Sequence, residues 1–230
     1  MSQVYSQSQQ LNELFSSTEV GAEGLEISRG TVVFEQGSAA EHVYFIHHGQ
    51  VRLYQIGADG SERLVEILGP GQWFGCAALS DRTAHVSQAV AATQAQVSRV
   101  PAEKLLEYAS RNPAAAVQLI KNLANAVQSA REEAARLVFQ DCNSRLVDAM
   151  IRFSHSVAAT EQGGEVVLHL THEQLAQAVG AARETISLAL TEMRHRNLVR
   201  TGRNRLIFNR DSIRSFVGNG NGHAVAPNVG

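Results

Sequence analysis

Two cysteines in 230 residues, Cys76 and Cys142, leave no material for a disulfide framework or for an iron–sulfur cluster held by four thiolates of one chain. That scarcity fits a reducing compartment. Met1 to Gln10 is rich in Ser and Gln, with no basic start and no apolar run, so it does not read as a secretory signal. No apolar stretch approaches the roughly 20 residues that span a bilayer. The expectation is therefore a cytoplasmic protein that does not engage a membrane. The glycines fall at turn positions and form no phosphate-cradling loop. A metal-ligand spacing and a nucleophile elbow are both missing, so no catalytic residue and no metal site are assigned. Net charge is only −2, which by itself argues neither for nor against a polyanionic partner.

The charge is unevenly placed. From Thr171 to Val217 there are eight arginines (183, 194, 196, 200, 203, 205, 210, 214) against four acids (173, 184, 192, 211), a balance of +4 in an otherwise acidic chain. Within this stretch Thr171 and Gln174 have capping-box spacing and start a helix near His172, which Gly180 ends. A second helix is expected over about 182–196. At 100° per residue its apolar positions Ile186, Ala189, Leu190 and Met193 share one arc, and Arg183, Glu184, Ser187, Leu188, Thr191 and Arg194 share the opposite arc. Two short helices around a glycine turn, the second with one apolar and one hydrogen-bonding face, suit entry into a DNA major groove. Val199 to Phe208 then reads as two strands around Gly-Arg-Asn, a wing that presents arginine to phosphate.

Upstream, Leu25 to Val100 reads as short strands at Thr31–Phe34, Val43–Ile46, Gln50–Ile56, Arg63–Leu68 and, with a break, Val86–Val100. Gly37, Gly49, Asp59-Gly60, Gly69-Pro70-Gly71 and Gly75 separate them at the spacing of an antiparallel sandwich or barrel. A closed barrel is a container, so this half is a candidate sensor. A short helix is expected over Ala102–Ser110. A longer one opens at Asn112-Pro113 and carries Ala116, Ile120, Leu123, Val127, Ala130, Ala134 and Leu137 at interleaved a and d positions. Such a narrow seam implies a parallel homodimer, and the alanines would allow close approach. Phe139 to Asn143 reads as a hinge, Asn143 to about Ala158 as an amphipathic helix, 159–164 as a loop and Val166–Leu170 as a strand. The implied domains are a polar tail over 1–20, with one amphipathic piece at Leu11–Phe15, and an effector-sensing β-barrel over 21–110. A dimerisation helix and hinge over 111–140, a DNA-binding domain over 141–217 and a disordered tail over 218–230 complete the chain. The fold class is α+β: an antiparallel β-barrel of jelly-roll, cupin-like type, joined by a long helix to a winged helix-turn-helix.

In this order and at these spacings, several motifs between Leu25 and Val217 resemble the Crp/Fnr family of bacterial transcription regulators. They are Arg29-Gly30-x-x-x-Phe34-x-x-Gly37, Tyr44-Phe45-Ile46-x-x-Gly49-x-Val51, Gly69-x-Gly71-x-Trp73-Phe74-Gly75, the long helix, and Arg183-Glu184-Thr185-Ile186-Ser187. The resemblance implies a homodimer whose paired winged helices bind a palindromic site and whose β-domain takes an effector. An activator of this kind also contacts RNA polymerase. Arg183, Glu184, Ser187 and Leu188 are expected to meet base edges, and Thr171, Arg194, Arg200, Arg203 and Arg205 to meet phosphate. Two alternatives stand beside it: a dimerisation module whose helical end contacts protein, and a haem or redox sensor built on His42, His47, His48, His85 and Cys76.

The effector pocket implied by the resemblance comprises Gly75, Cys76, Ala77, Arg82, Thr83, His85, Val86 and Arg131. Cyclic-nucleotide-binding members carry a glutamate where this chain has Cys76. Their Arg-Ser pair falls at His85-Val86 or, counted forward from Gly75, at Arg82-Thr83. Their base-contacting Thr-Ser pair falls at Ala130-Arg131. These departures count against cyclic AMP, because a lost carboxylate and a lost guanidinium fork cannot be replaced without an affinity penalty. Arg131 is placed to meet an anionic effector, and sensing of 2-oxoglutarate is known in the family. Ala182, where relatives commonly carry Ser or Thr, cannot cap the second helix. Leu188, where many carry arginine, can touch a thymine methyl but cannot fork onto guanine.

Overall fold

The computed structural model describes residues 14–15, 18–139 and 141–218. The side chains at 129 and 132–139 lie outside the described ones, and so does the tail expected over 218–230 beyond Gly218. The chain divides into two compact units, with the boundary between Ala135 and Arg136.

The first unit begins with a 3₁₀ turn, Thr18–Val20, followed by β1 (Glu23–Ile27), β2 (Val32–Phe34), β3 (His42–His48), β4 (Val51–Ile56), β5 (Glu62–Leu68) and β6 (Trp73–Phe74). A second 3₁₀ turn, Cys76–Leu79, precedes β7 (Gln88–Ala91) and β8 (Ala95–Pro101). The strands form two antiparallel four-stranded sheets, ordered β1-β8-β3-β6 and β2-β7-β4-β5. The sheets are therefore not closed into the barrel that the strand spacing suggested. β6 has two residues and β2 three, too short to carry a ladder from one sheet into the other, so each sheet keeps its edges.

Residue alternation explains how β3 serves two cores. Tyr44 and Ile46 point between the sheets, where they pack with Ile27, Phe34, Val51, Leu68, Phe74, Ala89 and Val97. Val43 and Phe45 point to the other side, onto Leu105, Ala115 and Leu119 of the helices that follow. Leu14 and Phe15 belong to that second core, and the Phe15 ring stacks on Phe45 at 5.2 Å. Within the amphipathic piece expected at Leu11–Phe15, Leu14 and Phe15 thus contribute buried apolar surface. Gly49 holds its close turn at φ +85; a Cβ there would stand 2.3 Å from the Gln94 carbonyl oxygen.

Helix α1 (Ala102–Arg111) leads into α2 (Pro113–Phe139), whose 27 residues span about 40 Å. Ala115 and Leu119 are buried against the first unit, whereas Val117, Ile120 and Val127 are exposed at 48%, 64% and 51%. Ala116 and Leu123 are half-buried, and Ala130 is exposed. Ala134 and Leu137 fall among the undescribed side chains.

The second unit contains α3 (Cys142–Ser154), β9 (Ala159–Gln162), β10 (Glu165–Leu168), α4 (His172–Val179) and α5 (Arg183–His195). It continues with β11 (Val199–Gly202), β12 (Arg205–Phe208) and α6 (Arg210–Gly218). Its sheet is ordered β11-β12-β10-β9. The segment 159–164, expected to be a loop, supplies β9 and the turn into β10. Asp141 caps α3, accepting from the Ser144 backbone N–H at 2.7 Å. Leu146, Met150, Phe153, Leu175, Ile186, Leu190, Met193 and Phe208 are buried. Among the described residues, no helix is long and apolar enough to cross a membrane.

Candidate nucleic-acid interface

Both halves of the expected capping box are present on α4. Thr171 Oγ1 accepts from the Gln174 backbone N–H at 3.1 Å, and Gln174 Oε1 accepts from the Thr171 backbone N–H at 3.0 Å. Gly180 ends the helix in the left-handed region at φ 68, where a Cβ would be strained. The chain then turns through Ala181 and Ala182 into α5. Ala182 is the N-cap residue and makes no side-chain cap, leaving the first N–H groups of α5 without one.

Helix α5 separates its faces cleanly. Ile186, Ala189, Leu190 and Met193 are buried. Arg183, Glu184, Leu188, Thr191 and Arg194 are exposed, Leu188 at 73%, and Ser187 is half-buried. Ser187 is held from the preceding helix: His172 Nδ1 and Ser187 Oγ are 3.0 Å apart. Burial, and then the charge of Arg183, push the His172 imidazole below its ordinary pKa. Sequence spacing gave no hint of this contact, since the two residues meet only once the two helices pack.

In the wing, β11 and β12 pair from Val199–Phe208 to Gly202–Arg205, leaving Arg203-Asn204 as a two-residue turn. Asn204 takes φ 56, a conformation asparagine tolerates. Arg203 and Arg205 are exposed. Arg205 lies across Gly202, where a Cβ would stand 2.9 Å from its Nε. Arg200 forms an ion pair with Glu165 of β10 and stays largely exposed. Arg196 pairs with Glu192 and lies over the Phe216 ring at 5.1 Å, and Arg210 is held by Ser154 and Glu161. The exposed cations on this unit thus include Arg183 and Arg194 on α5 and Arg203 and Arg205 on the wing.

A helix with exposed Arg183 and Arg194 opposite a buried face, with a capped helix before it and a basic hairpin after it, is the geometry of a winged helix-turn-helix. The same chain matches the family model described as the Crp-like helix-turn-helix domain over residues 144–216, and that of the cyclic nucleotide-binding domain over residues 25–112. It belongs to the Crp/Fnr family of transcription regulators. The CRP-like cAMP-activated global transcriptional regulator of Mycobacterium tuberculosis is 30% identical over 177 residues, covering 76% of this chain and 79% of that protein. The global nitrogen regulator of Synechococcus elongatus is 28% identical over 191 residues, covering 80% and 85%. Among solved structures, a Crp/Fnr-family regulator of Thermus thermophilus superposes with TM-score 0.72 at 25% identity, covering 85% of this chain and 98% of the other. The protein is accordingly a DNA-binding transcription regulator of the Crp/Fnr family.

The residues expected to form an effector pocket in this Crp/Fnr chain have unequal surroundings. Gly75 is buried at φ +85, and a Cβ on it would stand 2.8 Å from the His42 carbonyl oxygen and 3.2 Å from the Tyr44 ring. Cys76 reaches solvent and Ala77 is half-buried. Although the residue as a whole reaches solvent, desolvation of the Cys76 thiol, with a smaller push from Glu66, raises it above its ordinary pKa. His85 is 5% exposed and stacks on Phe34 at 3.6 Å and 6°, within a cluster that includes Tyr44 and Phe74. Its backbone pairs with the 37–38 turn: Gly37 N–H donates to the His85 carbonyl and His85 N–H to the Ser38 carbonyl. Arg82, Thr83, Val86 and Arg131 are exposed. The aromatic cluster thus brings Phe74, next to Gly75, together with His85. His47, from the redox reading, is engaged with Ser98 at 2.7 Å. Among the described residues no group of three or more His, Cys, Asp or Glu side chains is placed to hold a metal.

Proposed function

We propose that this regulator acts as a homodimer on a two-fold symmetric DNA site, with α5 of each copy in the major groove. The observation that carries this reading is the face separation of α5, in which four core residues lie opposite Arg183, Glu184, Ser187 and Leu188. Arg183 pairs with guanine O6 and N7, Glu184 accepts from a cytosine amino group, and Leu188 touches a thymine methyl. Thr171, Arg194, Arg203 and Arg205 meet phosphate; Arg200 does so only by sharing or leaving Glu165. The exposed Ile120, Val127 and Ala130 on α2, with half-buried Leu123 between them, support a parallel helix pair, since such apolar groups gain by leaving water. Two-fold symmetry then places the two reading helices roughly 34 Å apart on one face of the duplex. In this arrangement 21–110 is the sensing part, 111–140 the dimerisation helix and hinge, and 141–217 the DNA-binding part. Where it activates transcription, it contacts RNA polymerase as well.

One listening mode is disfavoured. The Mycobacterium tuberculosis relative is cAMP-activated, but here Cys76 offers no carboxylate for a ribose. His85 has its ring spent on Phe34 and is held toward the neutral form by burial and by His42. A neutral, stacked imidazole cannot fork onto a phosphate; Arg82, the position reached by counting forward from Gly75, is exposed, so against cyclic AMP on that count stands the missing carboxylate at Cys76. We therefore assign DNA binding that does not need cyclic AMP. The test is selection from a random duplex pool, with and without cyclic nucleotides and 2-oxoglutarate, followed by a salt titration on the selected site. The expected result is a palindrome bound with a steep salt dependence and no gain from cyclic AMP. A shallow salt slope without sequence preference points instead to a protein partner and overturns the reading.

A further inference from the structure

His172 and Ser187 are fifteen residues apart, on the two helices of the helix-turn-helix, and are joined by one 3.0 Å hydrogen bond. A serine hydroxyl holds one proton and two lone pairs, so whatever its partner takes decides what remains to offer outward. A neutral imidazole with its proton on Nε2 presents a bare Nδ1. Ser187 then donates to it, and only oxygen lone pairs face outward. An imidazolium donates from Nδ1 instead, and the Ser187 proton is released for another acceptor. Thr191 does not compete, because its hydroxyl donates to the Ser187 backbone carbonyl rather than to Oγ.

We propose that His172 is a positioning residue that sets the hydrogen-bonding sense of Ser187, so that the base preferred at one position of the half-site changes with the protonation of the imidazole. The inference rests on α5 being the base-reading helix. An accepting Ser187 selects a cytosine or adenine amino group; a donating Ser187 selects guanine or thymine oxygen. The charge that acts on the imidazole is Arg183, and the other charged groups on the packed helices include Glu184, Glu173 and Arg145. Arg183 on α5 opposes the imidazolium, Glu184 on α5 and Glu173 on α4 are exposed on the same pair of helices, and Arg145 of α3 reaches the far end of α4 at the Val179 carbonyl. Burial and Arg183 act in the same direction, so the imidazole is neutral at neutral pH, where the Nε2-protonated form leaves Ser187 accepting outward, and the switch lies on the acidic side.

The experiment is pool selection with the full-length chain at about pH 7.5 and about pH 5.5, comparing the native protein with His172→Gln, His172→Phe and Ser187→Ala. The native protein should exchange an amino-bearing base for an oxygen-bearing one at a single position, a change in preference of about 3- to 10-fold, as one hydrogen bond allows. His172→Gln, whose carbonyl can still accept from Ser187, should keep the neutral-pH preference and lose the pH dependence. His172→Phe should relax the preference at both pH values, and Ser187→Ala should remove it. An identical base preference at both pH values in the native protein, or a pH response that survives in His172→Gln, overturns the proposal while leaving the DNA-reading role of α5 intact. Loss of all salt-dependent duplex binding overturns that role and this inference together.

Discussion

The His85 imidazole lies flat on the Phe34 ring, 3.6 Å between centroids and 6° from parallel, and is almost fully enclosed. One of the two positions at which cyclic-nucleotide-binding relatives are expected to present an arginine, His85 or Arg82, is thereby spent on packing. Burial, and less strongly His42, hold the imidazole below its ordinary pKa. The unfolded chain therefore binds the proton more readily than the folded one. The stabilising contribution is complete above the ordinary histidine pKa and is lost as pH falls through the lower, folded value. Thermal unfolding should show a falling midpoint between about pH 7.5 and pH 5.5. His85→Phe should flatten that fall in part, since His47 and His172 are shifted in the same direction and remain. A slope unchanged by the substitution would mean that His85 is not enclosed.

Gly75 combines a left-handed backbone with a Cβ position 2.8 Å from the His42 carbonyl. Gly75→Ala should cost about 1–3 kcal/mol of stability in denaturant titrations. The m-value should stay constant, because the strain is local.

The missing cap on α5 can be supplied. Ala182 already has the extended backbone of an N-cap residue, at φ −68 and ψ 146. Ala182→Ser should raise stability by about 0.5–1 kcal/mol, read from the same titrations. A loss of stability would show that the Ser hydroxyl cannot reach the first-turn N–H groups.

Ile120 is 64% exposed on α2. Ile120→Glu should weaken self-association at least about 100-fold in sedimentation equilibrium, because a two-fold interface loses the side chain twice and each burial contributes about 1.5–3 kcal/mol. Circular dichroism should remain unchanged. A dimer unaffected by the substitution would place the interface elsewhere.

The second unit was largely legible in the sequence because its signals are local. Thr171 and Gln174 are three residues apart, Gly180 marks the stop, and the four buried positions of α5 follow helical periodicity. The helix runs over Arg183–His195, with Ala182 and Arg196 as its caps, one residue inside each expected end. What the sequence hid depends on distant pairing. The separation of the sheets follows from which strands share ladders, and turn spacing does not carry that information. The amphipathic piece ending at Leu14–Phe15 has no partner visible in the sequence until β3 supplies Phe45 beneath it. The Arg200–Glu165 pair needs β10 and β11 brought into one sheet, which alternation alone cannot specify.

The base-reading role of α5 is the centre of the account, and the most direct measurement compares two arginines on two duplexes. Affinities of the native protein, Arg183→Ala and Arg203→Ala are measured on the selected site and on a scrambled one at fixed salt. Arg183→Ala should lose about 1–3 kcal/mol on the selected site, with relaxed preference at one base pair and little further loss on the scrambled duplex. Arg203→Ala should weaken both alike. Equal losses on both duplexes for Arg183→Ala would contradict the account.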